Sequence, residues 1–245
     1  MDLGVVGFYL LAAAYLLLTA LLFTAPLKTS AARLIRILAG LVALWGLANT
    51  QFYHDSAWFD LRAVLSLEVV RNLLLQLMLL ALLRSHLQWR QLRDDPLLWL
   101  VGGLSLLVLL PLWGVGLGPS GSRMLVFGGL LGQVLLALFL IEQNFRLLPA
   151  QERRAFLPLM IAVGVVLVFD FVIYAEGLLL LQLNPNFWGA RGFVWCLAVP
   201  GLLLTTRRLP SLGVRVFVSR QVVYHSTLLL VAGGYLLVMA GAGYY

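Results

Sequence analysis

Residues 63–83, AVLSLEVVRNLLLQLMLLALL, decide how the chain is to be read. At ~1.5 Å per residue this stretch makes a helix about 31 Å long, matching the ~30 Å hydrocarbon core of a bilayer. Its few polar residues are ordered. Glu68, Asn72 and Gln76 recur at every fourth position, and Arg71 lies three residues from Glu68. In a helix these form a stripe on one face. A charge near the bilayer centre costs at least ~2.5–3.5 kcal/mol, so the stripe cannot face lipid and must turn into a bundle of other spans. Glu68 and Arg71 can also pair within their own helix. Two readings of the stripe follow: a clamp that holds neighbouring helices together, or a site that senses a ligand, a proton or a lipid.

Working outward, apolar runs of similar length recur, giving eight expected spans at 4–24, 34–53, 63–83, 97–117, 124–143, 156–181, 188–206 and 222–243. Short connections separate them, punctuated by Ala25-Pro26, Asp94-Asp95-Pro96, Gly118-Pro119-Ser120-Gly121, Asn184-Pro185-Asn186 and Pro210. The first run follows Met1-Asp2 rather than a basic segment and is too long for a signal-peptide core, so it is expected to be retained. With 62% hydrophobic and 11% charged residues in 245, the chain has too much apolar surface for a water-soluble core. The expectation is one all-α domain over residues 1–245, a polytopic membrane bundle with lipid as its solvent.

The net charge of +7 does not point to nucleic acid, because the seventeen basic residues stand singly or in pairs between apolar runs and form no basic face. They set orientation instead. Lys28, Arg33, Arg36, Arg84, Arg90, Arg93, Arg146, Arg153, Arg154, Arg207, Arg208, Arg215 and Arg220 fall on alternate connections, against Arg62, Arg123 and Arg191 on the others. Since Lys/Arg-rich loops stay in the cytoplasm, the N-terminus is expected outside, and with eight spans Tyr245 as well. Tyr53, Trp58, Phe59, Phe187, Trp188, Tyr244 and Tyr245 then lie at outer headgroup level.

In that orientation the sixth span rises from the cytoplasm, placing Asp170 and Tyr174 one turn apart in its outer half and Glu176 near its boundary. Arg191 opens the seventh span at a similar height. Counting down from Arg62 places Glu68 roughly 9 Å and Arg71 roughly 14 Å below the outer end of the third span. These charges can converge on one cavity. Alternatively, Asp170 simply pairs with Arg71 or Arg191 and leaves no cavity.

Other signals are weaker. His54, His86 and His225 are too far apart along the bundle to share a metal. Cys196 is the single cysteine, so no internal disulfide and no Cys/His cluster is expected. Gly128 and Gly132 form a G-x-x-x-G that permits close helix approach. Ser226 and Thr227 have no acid–base partner. Residues 214–220 alternate apolar and polar side chains, as either a short interfacial element or a loop. No nucleotide-binding glycine loop, nucleophile elbow or H-E-x-x-H zinc motif occurs, and no repeat of 20–50 residues is evident.

Residues 169–194, FDFVIYAEGLLLLQLNPNFWGARGFV, and 217–245, FVSRQVVYHSTLLLVAGGYLLVMAGAGYY, resemble the membrane region of PrsK, the sensor histidine kinase family of the exosortase/PEP-CTERM system in Gram-negative bacteria. The resemblance rests on Asp170-Phe171, Tyr174, Glu176, Trp188-Gly189-Ala190-Arg191-Gly192, Val218-Ser219-Arg220 and His225-Ser226, and more loosely on Glu68 and Arg71 in the first half. It implies an inner-membrane sensory input region controlling exopolysaccharide and PEP-CTERM genes, acting as a homodimer in a full-length kinase. Glu68, Arg71, Asn72, Asp170, Tyr174, Glu176, Trp188 and Arg191 would then sense a small molecule or envelope state. Family members continue through another span into a GAF domain and a kinase core that contacts a response regulator. This chain ends at Tyr245 without those parts, so neither catalysis nor a cofactor is expected of it. A secondary transporter or permease subunit using the same buried charges is the alternative.

Overall fold

A computed structural model describes residues 3–24, 30–54, 60–83, 95–114, 118–148 and 150–208. The eighth expected span, the 214–220 element, the loop at 84–94, His86, His225, Ser226, Thr227, Trp58, Phe59, Tyr244 and Tyr245 lie outside the described residues. Within them the chain is an all-α bundle of membrane type. Its helices are α1 (Leu3–Phe23), α2 (Ser30–Tyr53), α3 (Leu61–Leu83), α4 (Pro96–Leu112), α5 (Pro119–Leu147), α6 (Ala150–Leu180) and α7 (Pro185–Arg208). Six of them are long and apolar enough to cross a membrane, and α4, with 17 residues, is the shorter apolar one.

Local chemistry sets several of these boundaries. Asp95 caps α4, its carboxylate accepting the Leu97 N–H at 3.0 Å, and Pro96 supplies a first residue that needs no hydrogen-bond donor. Pro119 opens α5, and Pro185 opens α7 after an Asn184 side chain that accepts the Asn186 N–H at 3.1 Å. The fourth helix stops at Leu112, short of the expected 97–117, because Gly114 takes a left-handed φ of 85° and turns the chain out of the helix. Leu181 does the same after α6, with φ 54°.

The helices close into a ring. α1 packs on α2, α2 on α3, α3 on α5, α5 on α6, α6 on α7 and α7 on α1, while α4 packs outside the ring on α3 and α5. Contacts give the directions. Gly4 meets Gly189 and Gly7 meets Gly192, so α1 and α7 are parallel. Asn72 meets Gln133 and Asn144 meets Leu79, so α3 and α5 are parallel too. Neighbours within α1–α2–α3 and within α5–α6–α7 alternate in direction. The chain thus forms two three-helix units of the same sense, with α4 returning the backbone to the starting side.

Burial is inverted relative to a water-soluble protein only on the outside. Leu17, Val168 and Leu179 are exposed on the ring's outer face, at 63%, 55% and 83%, as a lipid-facing surface requires. Inside, Phe8, Tyr15, Trp45, Leu79 and Phe156 are fully enclosed. Arg62 and Arg123 lie at the end of the bundle that carries Leu3, and Arg33, Arg36, Arg146, Arg153 and Arg154 lie at the other.

Two expectations need correction. Trp188 is not a headgroup anchor: it is 3% exposed and turned into the ring. The close approach along α5 uses Gly129 and Gly132 against Leu104, Leu107 and Val108 of α4, whereas a side chain on Gly128 would meet only Leu178, at an ordinary 3.8 Å. Gly192 of α7 lies against the backbone of Gly7 and Phe8 in α1, where the missing side chain lets two helices touch.

Candidate functional site

Four charges meet in the middle of the ring. α3 contributes Glu68 and Arg71, one turn apart; α6 contributes Asp170 and α7 contributes Arg191. All four are completely buried. Arg71 Nη2 donates to Glu68 Oε1 at 3.1 Å and to Asp170 Oδ2 at 3.2 Å. Arg191 donates from Nε to Asp170 Oδ1 at 3.0 Å and from Nη1 to Glu68 Oε2 at 3.1 Å, and its Nη2 also reaches Glu68 Oε1. Each arginine therefore binds both acids, and each acid binds both arginines. The result is a closed box of alternating sign with no net charge. Such an arrangement lets four ionised groups persist where a single one would cost several kcal/mol.

Neutral groups complete the box. Tyr174, one turn above Asp170, donates its hydroxyl proton to Glu68 and accepts from Arg191 Nη2 at 2.8 Å. Asn72 Oδ1 accepts from Arg71 at 3.1 Å, and its amide passes the network to Gln133 Oε1 at 3.3 Å. Gln133 continues to Ser105 Oγ at 3.0 Å, tying in the outlying α4, and Gln76 donates to the Gln133 carbonyl at 2.7 Å. The stripe read from α3 is thus divided: its Glu68/Arg71 end serves the charges, and its Gln76 end clamps α5.

Indoles supply the walls. The Arg71 guanidinium lies 4.3 Å from the Trp45 ring centroid and 4.1 Å from that of Trp195, between the two faces. Arg191 lies 4.6 Å from the Trp188 ring. Trp188 Nε1 in turn donates to Asn49 Oδ1 at 2.9 Å. Cation–π contacts of this kind gain strength when water is excluded, reaching ~2 kcal/mol. The two arginines are not equally satisfied. All three nitrogens of Arg191 donate to partners, but Arg71 Nη1, Trp45 Nε1 and Trp195 Nε1 are buried without one among the described residues.

Of the residues singled out from the sequence, Glu68, Arg71, Asn72, Asp170, Tyr174, Trp188 and Arg191 come together, and Glu176 does not. It is partly buried and accepts from Asn184 Nδ2 at 3.3 Å, near the turn into α7. Trp45, Trp195, Asn49, Gln133 and Ser105 join the site without having been marked; Gln133, a lone amide within an apolar run, was the available signal. Of the two arrangements the sequence allowed, a cavity among the charges or direct pairing of Asp170, the structure shows pairing, with both Arg71 and Arg191. One cavity of about 20 Å³ lies deeper, between Tyr15, Leu75, Val166, Trp195 and Leu202, and a second of about 730 Å³ opens at the Leu3 end. Neither is walled by Glu68, Arg71, Asp170 or Arg191. Among the described residues no three His, Cys, Asp or Glu side chains gather in a metal-binding group. Compared with known proteins, the chain matches no family model, no curated protein and no solved structure.

Proposed function

We propose that the chain is the membrane-embedded sensory input region of a bacterial two-component histidine kinase, of the PrsK type that controls exopolysaccharide and PEP-CTERM genes. The sequence resemblance supplies the family and the gene programme. The supporting observation in the structure is the charge box, which joins α3, α6 and α7 through a closed set of ion pairs while leaving one Arg71 donor unpaired among the described residues. A set of pairs that is closed but not fully satisfied has other arrangements open to it. A signal that favours one of them shifts the helices. The chain itself does no phosphoryl transfer in this reading. The homodimer and the response regulator belong to a full-length kinase.

The basic residues, which gather at the end away from Leu3, support a periplasmic N-terminus. Alkaline-phosphatase fusions should be inactive after Arg93 and active after Tyr245; the opposite pattern reverses the orientation. The sensory role is tested by placing Asp170→Asn in the chromosomal gene. Exopolysaccharide and PEP-CTERM transcripts should change while solute uptake stays normal. Unchanged transcripts with altered uptake would favour the second reading, a secondary transporter or permease subunit. That reading draws support from the buried charges Glu68, Arg71, Asp170 and Arg191, since ionised residues inside a membrane bundle also mark ion and substrate pathways.

A further inference from the structure

The cavity of about 730 Å³ at the Leu3 end is built from the ends of α2 through α5 and the turn between α6 and α7. Its wall is chemically divided. Phe52, Leu112, Phe127 and Trp188 make it aromatic and aliphatic, while Arg62 and Arg123 bring two guanidinium groups and, among the described residues, no Asp or Glu contributes. Both arginines are exposed, and among the described residues neither forms an ion pair with a carboxylate. Two forked donors above an apolar chamber match a phosphate or carboxylate attached to hydrocarbon. The volume falls in the ~300–1,000 Å³ range that holds one drug-sized molecule.

We propose that this cavity binds a single-chain amphipathic anion, with its head held by Arg62 and Arg123 and its chain against Phe52, Phe127 and Trp188. The inference rests on the sensory reading and names the class of molecule sensed. A physical route from cavity to charges is present. Trp188 lines the cavity, donates to Asn49 at 2.9 Å and carries Arg191 on its face at 4.6 Å. An occupant that shifts this indole therefore acts directly on one corner of the box.

The test is native mass spectrometry of the purified chain in neutral detergent, titrated with hexadecyl phosphate. One molecule should bind. Arg62→Gln/Arg123→Gln should weaken binding by roughly tenfold per lost guanidinium, equivalent to ~1.4 kcal/mol each, because each loses charge-assisted hydrogen bonds to the anion. Both positions are exposed, so the variant should melt as the parent does. Leu112→Trp, which fills the apolar chamber and spares the arginines, should weaken binding independently. Hexadecyl phosphocholine, with its phosphate charge balanced, should bind more weakly than hexadecyl phosphate. Inorganic phosphate should not bind detectably. Failure of hexadecyl phosphate to bind, or equal binding by parent and double-arginine variant, overturns the inference and leaves the sensory reading to the transcript experiment. Inorganic phosphate binding as tightly as hexadecyl phosphate also overturns it, since the apolar wall would then play no part.

Discussion

Toward Leu3 the interior of the ring is filled by Glu68, Arg71, Asp170, Arg191 and Tyr174 between indoles; farther along, Leu18, Ile35, Leu38, Leu75, Val166 and Leu202 surround a cavity of about 20 Å³. The two regions hold the same helices by different forces. In lipid, bringing apolar side chains together yields no hydrophobic gain, only closer packing. Leu75 would pack nearly as well against another helix, or against a rotated one. The charges have no such freedom: Arg71 requires Glu68 at its own turn and Asp170 from α6, and Arg191 requires both acids. We infer that the charged region fixes which helices are neighbours and in what register, and that the apolar region follows.

The largest test of that difference is Arg71→Leu. It leaves two acids sharing Arg191, an uncompensated buried charge, and should destabilise the bundle by ~3–5 kcal/mol. Thermal unfolding in detergent should show a large drop, and adding Asp170→Asn should recover part of it. Two losses that simply add would mean that the box is not a unit. In the apolar region, Leu75→Ala should cost less, ~2–3 kcal/mol, by enlarging the existing cavity, with no partner residue able to rescue it.

A further pair of variants asks whether packing without charge can also enforce register. Alanine at Gly192 would place its methyl against the backbone of Gly7 and Phe8, and the overlap should lower stability by ~1–3 kcal/mol. Alanine at Gly102 on α4 meets nothing within 4 Å and should be neutral or slightly stabilising. Equal melting of the two variants would show that the α1–α7 contact is loose.

Much of the charged region was legible in the sequence, because an ionised residue inside an apolar run is expensive and needs a partner. Helix spacing then separates true members from false ones. Tyr174 lies four residues after Asp170, about 40° around the helix, and joins the box; Glu176 lies six residues after it, about 240° around, and leaves on another face. Both acids were marked by charge alone, and the angle decides between them. Trp45 and Trp195 were not legible, since an indole in a span looks the same facing lipid or an arginine. Trp188 was marked as a site residue but also placed at headgroup level, because its place near a helix start says nothing of which way the side chain turns. The ring order was not visible either: nothing in residues 96–112 states that α4 lies outside the ring. Its short length follows from Gly114, whose left-handed turn ends the helix before the apolar run does.

The smallest expected loss lies where the two regions meet, at Gln133. Its side-chain amide bridges Asn72 and Ser105, so Gln133→Leu breaks two hydrogen bonds, 3.3 Å and 3.0 Å long. Much of the network survives the change. Gln76 donates to the Gln133 backbone carbonyl, which leucine retains, and Ser105 still donates to the Val101 carbonyl at 2.9 Å. Asn72 Oδ1 keeps its bonds from Arg71. Only the Asn72 amide loses its partner. Hydrogen bonds between membrane helices average ~0.6 kcal/mol and reach ~1.7 at most, so the variant should melt only slightly below the parent in the same detergent. A loss as large as that of Arg71→Leu would show that the amide chain, rather than the ion pairs, holds α3 against α5, and would shift the origin of register from the charged box to the uncharged network beneath it.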